Sequence, residues 1–214
     1  MTTVPVGLTR DLPPKRVMRA HVAGRDLVVW RATNGEIAAW GNRCPHRGMA
    51  LSHGFVRGNS LACLYHGWHY GGSGACSYIP AHPDLTPPET IKAEVFSVCE
   101  SDGVIWVNTQ GDAAPAPVTI PAQPLRSFFV DAAPEQIADC CTAVDFDGTA
   151  PSALGDAVYK LGARRVILLH NTLGAARTQI TALIDADATP DACSAVSRWC
   201  EAVRLRASTR KVAA

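Results

Sequence analysis

Two short boxes decide how this chain is read: Arg43-Cys44-Pro45-His46-Arg47-Gly48 and, with sixteen residues between His46 and Cys63, Cys63-Leu64-Tyr65-His66-Gly67-Trp68. Each box supplies one thiol and one imidazole, in the pattern Cys-x-His, spacer, Cys-x-x-His. A tetrahedral zinc site could use the same four donors, but zinc modules usually pair cysteine with cysteine and histidine with histidine at short spacing. One Cys and one His per loop suits a two-iron cluster with unlike ends, both thiolates on one iron and both imidazoles on the other. Gly48 and Gly67 close the two boxes and allow the backbone to turn tightly there.

The flanks of the boxes read as β structure. Residues 25–31 and 36–40 alternate in the manner of strands, and Asn34-Gly35 between them is a strong hairpin signal. A second hairpin is expected to run from 91–98 through Ser101-Asp102-Gly103 into 104–107, and Gly71, Gly72 and Gly74 mark another turn. Residues 111–127 are rich in proline and alanine, with Pro115, Pro117, Pro121 and Pro124, and are expected to form a linker. Beyond it the texture is α+β. Helices are expected over 134–144, 151–161 and from Pro190 onward, with Thr189 as N-cap, and a hairpin over 166–172 and 178–184.

Composition narrows the class. The 214 residues carry 20 Lys plus Arg against 19 Asp plus Glu, a formal charge of +1, so no global excess of positive charge points to nucleic acid or an anionic membrane. No stretch approaches the ~20 apolar residues of a membrane helix. Residues 1–19 lack the apolar run of a secretory signal. A cytoplasmic protein is expected, with most of its eight cysteines reduced.

The Cys-Pro-His-Arg-Gly and Cys-x-Tyr-His-Gly-Trp boxes resemble those of the Rieske [2Fe–2S] family, in the branch formed by the N-terminal domains of ring-hydroxylating and demethylating non-heme iron oxygenases. The resemblance covers about residues 8–110. It implies a mainly β Rieske domain over 1–110, with antiparallel sheets and two cluster-binding loops, followed by the 111–127 linker and a small α+β region over 128–214. It implies that Cys44 and Cys63 bind one iron and His46 and His66 the other, with the histidines exposed at the tip. Respiratory members carry a further disulfide between the loops; the corresponding positions here are Met49 and Tyr65. A hydroxyl residue of that branch is replaced by Trp68. Fewer hydrogen bonds to the cluster sulfurs imply a potential of roughly −150 to 0 mV, low in the Rieske range.

A full oxygenase subunit also holds a mononuclear iron on two histidines and a carboxylate. The histidines here are His21, His46, His53, His66, His69, His82 and His170, and only His170 follows residue 111. Mononuclear Fe(II) within this chain is therefore not expected, and 128–214 would be at most a shortened remnant of an oxygenase catalytic domain. His53 and His69 are expected as exposed spacers, His82 as a surface residue and His170 as a core histidine. Cys140, Cys141, Cys193 and Cys200 are expected as small core residues, and Cys76 and Cys99 could meet across strands. Asp145-Phe146-Asp147-Gly148-Thr149 resembles the first motif of haloacid-dehalogenase-type phosphatases, but the segment before it reads as helix, so a connecting turn is expected.

The function that follows is a one-electron carrier. A flavin or ferredoxin reductase would supply electrons, and an oxygenase subunit carrying non-heme iron would receive them, in a homo- or hetero-oligomer without nucleic acid or membrane. Two alternatives stand beside it. One is an oxygenase subunit, hydroxylase or demethylase, whose iron site is completed by a partner. The other is a redox-sensing regulatory protein.

Overall fold

The computed structural model describes residues 3–115, 118, 120–155 and 157–209. Pro117 of the expected linker lies outside them. The chain forms two compact units. The first comprises residues 9–100 and 105–115 with the extreme N-terminus, and the second comprises 4–8, 101–104 and 116–214.

In the first unit β2 (Val17–Val22), β3 (Arg25–Arg31), β4 (Ile37–Gly41), β9 (Val95–Ser101) and β10 (Val104–Asn108) lie side by side in the order β10-β9-β4-β3-β2. The β3–β4 hairpin forms where Asn34-Gly35 predicts it, with Arg31 opposite Ile37. Only Gly35 takes positive φ there, and the Asn34 side chain instead accepts a hydrogen bond from the Glu36 amide. Asp102 and Gly103, both at positive φ, turn β9 into β10 as the sequence suggests. Strands β5 (Phe55–Arg57), β6 (Ser60–Ala62), β7 (His69–Gly71) and β8 (Cys76–Tyr78) form a separate antiparallel meander. The core between the elements holds Val28, Trp30, Trp40, Leu51, Leu61, Tyr70 and Ile79. Trp30 and Trp40 meet edge to face at 5.0 Å between centroids. Each such buried ring contributes about 2–3 kcal/mol by removal from water.

Arg31 ties this unit together. Its guanidinium donates to the Leu12 carbonyl at 2.7 Å, to the Gly35 carbonyl at 3.0 Å and to both Glu100 carboxylate oxygens at 2.9 and 2.6 Å.

The second unit is an antiparallel sheet in the order β11-β15-β14-β13-β12, made of β11 (Ala122–Val130), β12 (Ser152–Gly155), β13 (Val158–Leu161), β14 (Arg164–Gly174) and β15 (Arg177–Asp185). Strand β1 (Val4–Leu8) belongs to the same unit, where Gln179 Nε2 donates to the Val6 carbonyl at 2.9 Å. Helices α1 (Pro134–Ala143) and α2 (Pro190–Thr209) cover one face. That face is the alternate residues Phe128 and Val130, Tyr159 and Leu161, Val166 and Leu168, and Ile180, Ala182 and Ile184. Val196, Trp199, Cys200, Val203 and Ala207 of α2 pack onto it at helical spacing. Thr189 caps α2 through its hydroxyl, which accepts from the Ala192 amide at 3.3 Å. The expected linker 111–127 overlaps the start of β11.

One element differs in kind. Residues 151–161, expected as helix, are strands β12 and β13 with a turn at positive φ between them. Tyr159 and Leu161 point inward and Lys160 outward, a period of two, and β14 offers β13 a full ladder partner. Tertiary pairing overrides the local helix preference of the alanine- and leucine-bearing stretch. The Asp145–Thr149 segment is the expected turn: Phe146 and Thr149 exchange backbone hydrogen bonds, and Asp145 and Asp147 are exposed.

Candidate metal centre

The two boxes become two loops with the same backbone frame. Residues 42–50 follow β4, and residues 63–68 connect β6 to β7, whose register pairs Ala62 with His69. In the first loop the Cys44 amide donates to the Met49 carbonyl and the Gly48 amide to the Cys44 carbonyl, both at 2.8 Å. In the second the Cys63 amide donates to the Trp68 carbonyl at 2.9 Å and the Gly67 amide to the Cys63 carbonyl at 3.0 Å. The glycines take φ of +71° and +69°, a conformation that costs any other residue roughly 1–2 kcal/mol.

The folded loops bring together residues nineteen apart in sequence (63 − 44). Cys44 and Cys63 are buried and close enough for Cys44 to add to the upward push on the Cys63 thiol. The His46 and His66 rings lie 4.7 Å apart between centroids, His46 half-buried and His66 exposed. His46 stacks on Trp68 at 4.1 Å with an interplanar angle of 6°, and His66 stacks on Tyr65 at 3.8 Å. The four donors thus stand as a buried thiol pair and an outer imidazole pair. Among the described residues no three His, Cys, Asp or Glu side chains converge as on a single ion.

Burial, and then the charges of His66 and Arg47, hold the His46 imidazole below its ordinary pKa, so it is neutral at pH 7 and offers a lone pair. Burial pushes the Cys63 thiol up, so its deprotonation depends on a bound cation.

Tyr70 is the residue beside the thiol pair that the motif reading missed. It is fully buried on β7, and its Oη lies 3.1 Å from Cys44 Sγ. Burial and the neighbouring Cys44 push its pKa up, so it keeps its proton. Against a thiolate only the phenol can donate. Its position was signalled by alternation: Tyr70 is the inward residue between His69 and Gly71.

The remaining histidines sort differently from expectation in two places. His53 and His82 are exposed. His69 is half-buried rather than exposed, because Ser60 Oγ lies 3.2 Å from its Nδ1 and Tyr78 meets its ring edge-on. His170 is exposed rather than core. It shares the helix-covered face with Val166 and Leu168, in the middle of β14, where a cavity of about 280 Å³ opens beside α1 among Ile137, Ala138, Tyr159, Leu168 and Ile180. All eight cysteines are free thiols, Cys76 and Cys99 included. Cys140, Cys141 and Cys200 are buried and Cys193 half-buried; burial pushes Cys141 and Cys200 up to about 12, which suits inert core thiols.

The chain is similar to known proteins over the span that holds both boxes. The family described as Rieske [2Fe-2S] domain matches residues 2–112. The chain is 43% identical over 117 residues to oxidoreductase NdmD of Pseudomonas putida, a match covering 54% of this chain and 20% of that protein. It is 37% identical over 118 residues to the oxygenase component of a 3-ketosteroid-9-alpha-monooxygenase from Rhodococcus rhodochrous, covering 54% of this chain and 29% of that one. These matches span less than a third of either relative's length. Among solved structures, a mutant of NdmA from Pseudomonas putida with caffeine aligns at a TM-score of 0.73 and 16% identity, covering 99% of this chain and 84% of that one. Apo dicamba monooxygenase aligns at 0.73 and 17% identity, covering 97% and 84%. The likeness in fold therefore extends past the Rieske match, while the sequence likeness does not. With two thiols inside, two imidazoles outside and the matching domain spanning both boxes, the chain belongs to the Rieske [2Fe–2S] family.

Proposed function

We propose that this chain is an electron-transfer protein of a Rieske oxygenase system. It would take single electrons from a flavin or ferredoxin reductase and pass them to non-heme iron in an oxygenase on another chain. The observation that carries this reading is the pairing of donors: a buried Cys44–Cys63 pair behind an outer His46–His66 pair. Cys44 and Cys63 would hold one iron and His46 and His66 the other. When bound, the [2Fe–2S] group supplies reversible one-electron storage at a raised potential. The chain's own residues do the rest. Trp68 and Tyr65 hold the imidazole planes by stacking. Tyr70 donates toward the Cys44 sulfur. The exposed His66 edge leaves a short route for an electron to a docked partner.

The experiment is iron and acid-labile sulfide per chain after anaerobic reconstitution with excess Fe(II), with oxygen uptake followed in the presence of a reductase. Two irons, two sulfides and no oxygen uptake by the chain alone are expected. Three irons with two sulfides would overturn the carrier reading. A second reading, an oxygenase subunit whose iron site is completed by a partner, is favoured by the fold likeness across 97–99% of the chain and by the cavity beside His170. Residues 128–214 would then be a shortened oxygenase domain. Repeating the iron count with a partner chain present separates the two: a further iron on the complex that is lost in His170→Ala is expected only if this chain supplies part of the iron site.

A further inference from the structure

The stretch of chain that carries the outer histidines has no acidic residue until the exposed Asp84 that follows it. From residue 37 to residue 83 there is no Asp or Glu, while Arg43, Arg47 and Arg57 and five histidines fall in that span. Arg43 and Arg47 flank the first box and are exposed, and among the described residues neither forms an ion pair. Two carboxylates do come near Arg43 in the fold, Asp26 and Glu94. Each is already neutralised, Asp26 by Arg19 and Glu94 by Arg25, both at 2.7 Å. The centre of the surface is apolar. Leu64 is 54% exposed and Tyr65 57% exposed beside His66, and Pro80, also exposed, packs toward Gly67. Large exposed apolar side chains ringed by charge mark contact surfaces, and a single-sign field raises the encounter rate with an oppositely charged partner.

We infer that the tip formed by Pro45, His46, Arg47, Leu64, Tyr65 and His66 docks a partner protein with an acidic collar around its own redox centre. This rests on the electron-transfer reading and adds the chemistry of the partner. Leu64 and Tyr65 form the dry centre of the contact. Arg43 and Arg47 steer the approach and set its orientation. The chain's net charge of +1 is too small to steer by itself, so the effect is local to this tip.

The test is carried out on the reduced, cluster-loaded protein. One electron leaves the protein and reduces either hexacyanoferrate(III), a trianion, or hexaammineruthenium(III), a trication, in stopped flow over ~10 to ~500 mM salt. The rate with the anion is expected to fall about tenfold as salt rises, and the rate with the cation to climb. Arg43→Glu with Arg47→Glu reverses both slopes, and Arg43→Lys with Arg47→Lys keeps them, with the visible spectrum unchanged throughout. Salt-independent rates with both oxidants, in protein holding two irons and two sulfides, overturn the docking inference and leave the electron-transfer reading standing. Loss of that reading shows separately, as failure to take up iron and sulfide. A second measurement needs no turnover: salt-sensitive binding to an immobilised plant-type ferredoxin, an acidic probe, with none to the basic cytochrome c. Tighter binding of a single-stranded oligonucleotide than of ferredoxin would assign the surface to nucleic acid and overturn the proposal.

Discussion

Tyr70 Oη lies 3.1 Å from Cys44 Sγ and is placed to act on a cluster held there. A hydrogen bond donated to a thiolate withdraws charge from it and stabilises the reduced state of a bound cluster more than the oxidised one. Tyr70→Phe keeps the ring in its buried place and removes only the donor. It should lower the reduction potential by about 40 mV, the one-electron equivalent of roughly 1 kcal/mol, with the cluster's spectrum retained. Protein-film voltammetry reads this, and an unchanged potential would mean that the phenol does not donate to the sulfur. The contact also bears on the low potential implied by the family boxes: the chain lacks the extra disulfide and hydroxyl of the respiratory branch, yet it keeps one donor within 3.1 Å of a ligand sulfur.

At the scale of elements, Arg31 and Glu100 join β3 to β9 through a bidentate pair, with the Arg31 side chain 9% exposed and that of Glu100 29%. The hydrogen bond from Arg31 holds the Glu100 carboxyl below the usual glutamate range. A depressed carboxyl contributes stability above its unfolded pKa and loses it as pH falls through the folded one. Denaturant titrations of the wild type should therefore lose stability through this pair as pH falls below the ordinary glutamate range. Glu100→Gln should be less stable at pH 7 and lack that share of the acid loss. Identical acid profiles would remove the pair from the account of stability. In the second unit α2 is held by Trp199, 3% exposed, whose indole nitrogen donates to the Val144 carbonyl at 3.1 Å. Trp199→Ala should cost about 3–5 kcal/mol, visible as a lowered midpoint in urea. Thr189→Ala, which removes only the cap, should cost about 1 kcal/mol.

The whole molecule holds two separate hydrophobic cores, one in each unit. Only the first contains Cys44 and Cys63 among its members. A metal group held by the folded loops and not by the unfolded chain raises stability by mass action. Removal of iron by a chelator should therefore lower the melting temperature in calorimetry. A loaded and a stripped protein that melt alike would argue that the loops are rigid without metal. No helix of the described residues is long and apolar enough to cross a membrane.

The sequence by itself determined the donor set, the two tight loops and the local punctuation. Spacing within Cys44–Gly48 and Cys63–Gly67, the positive-φ positions at Gly35 and Gly103, and the Thr189 cap are decided by residues within a few places of one another. The family could be read from those boxes for the same reason. Tertiary structure alone decided four other things: that the loops meet as an inner and an outer pair, that Tyr70 reaches Cys44, that residues 152–155 and 158–161 extend as strands, and that His170 opens onto a cavity. Each depends on a partner far away in the chain. A period of two across Tyr159 and Leu161 gains its meaning only when β14 supplies the ladder, and His170 stays exposed because a cavity opens between it and α1.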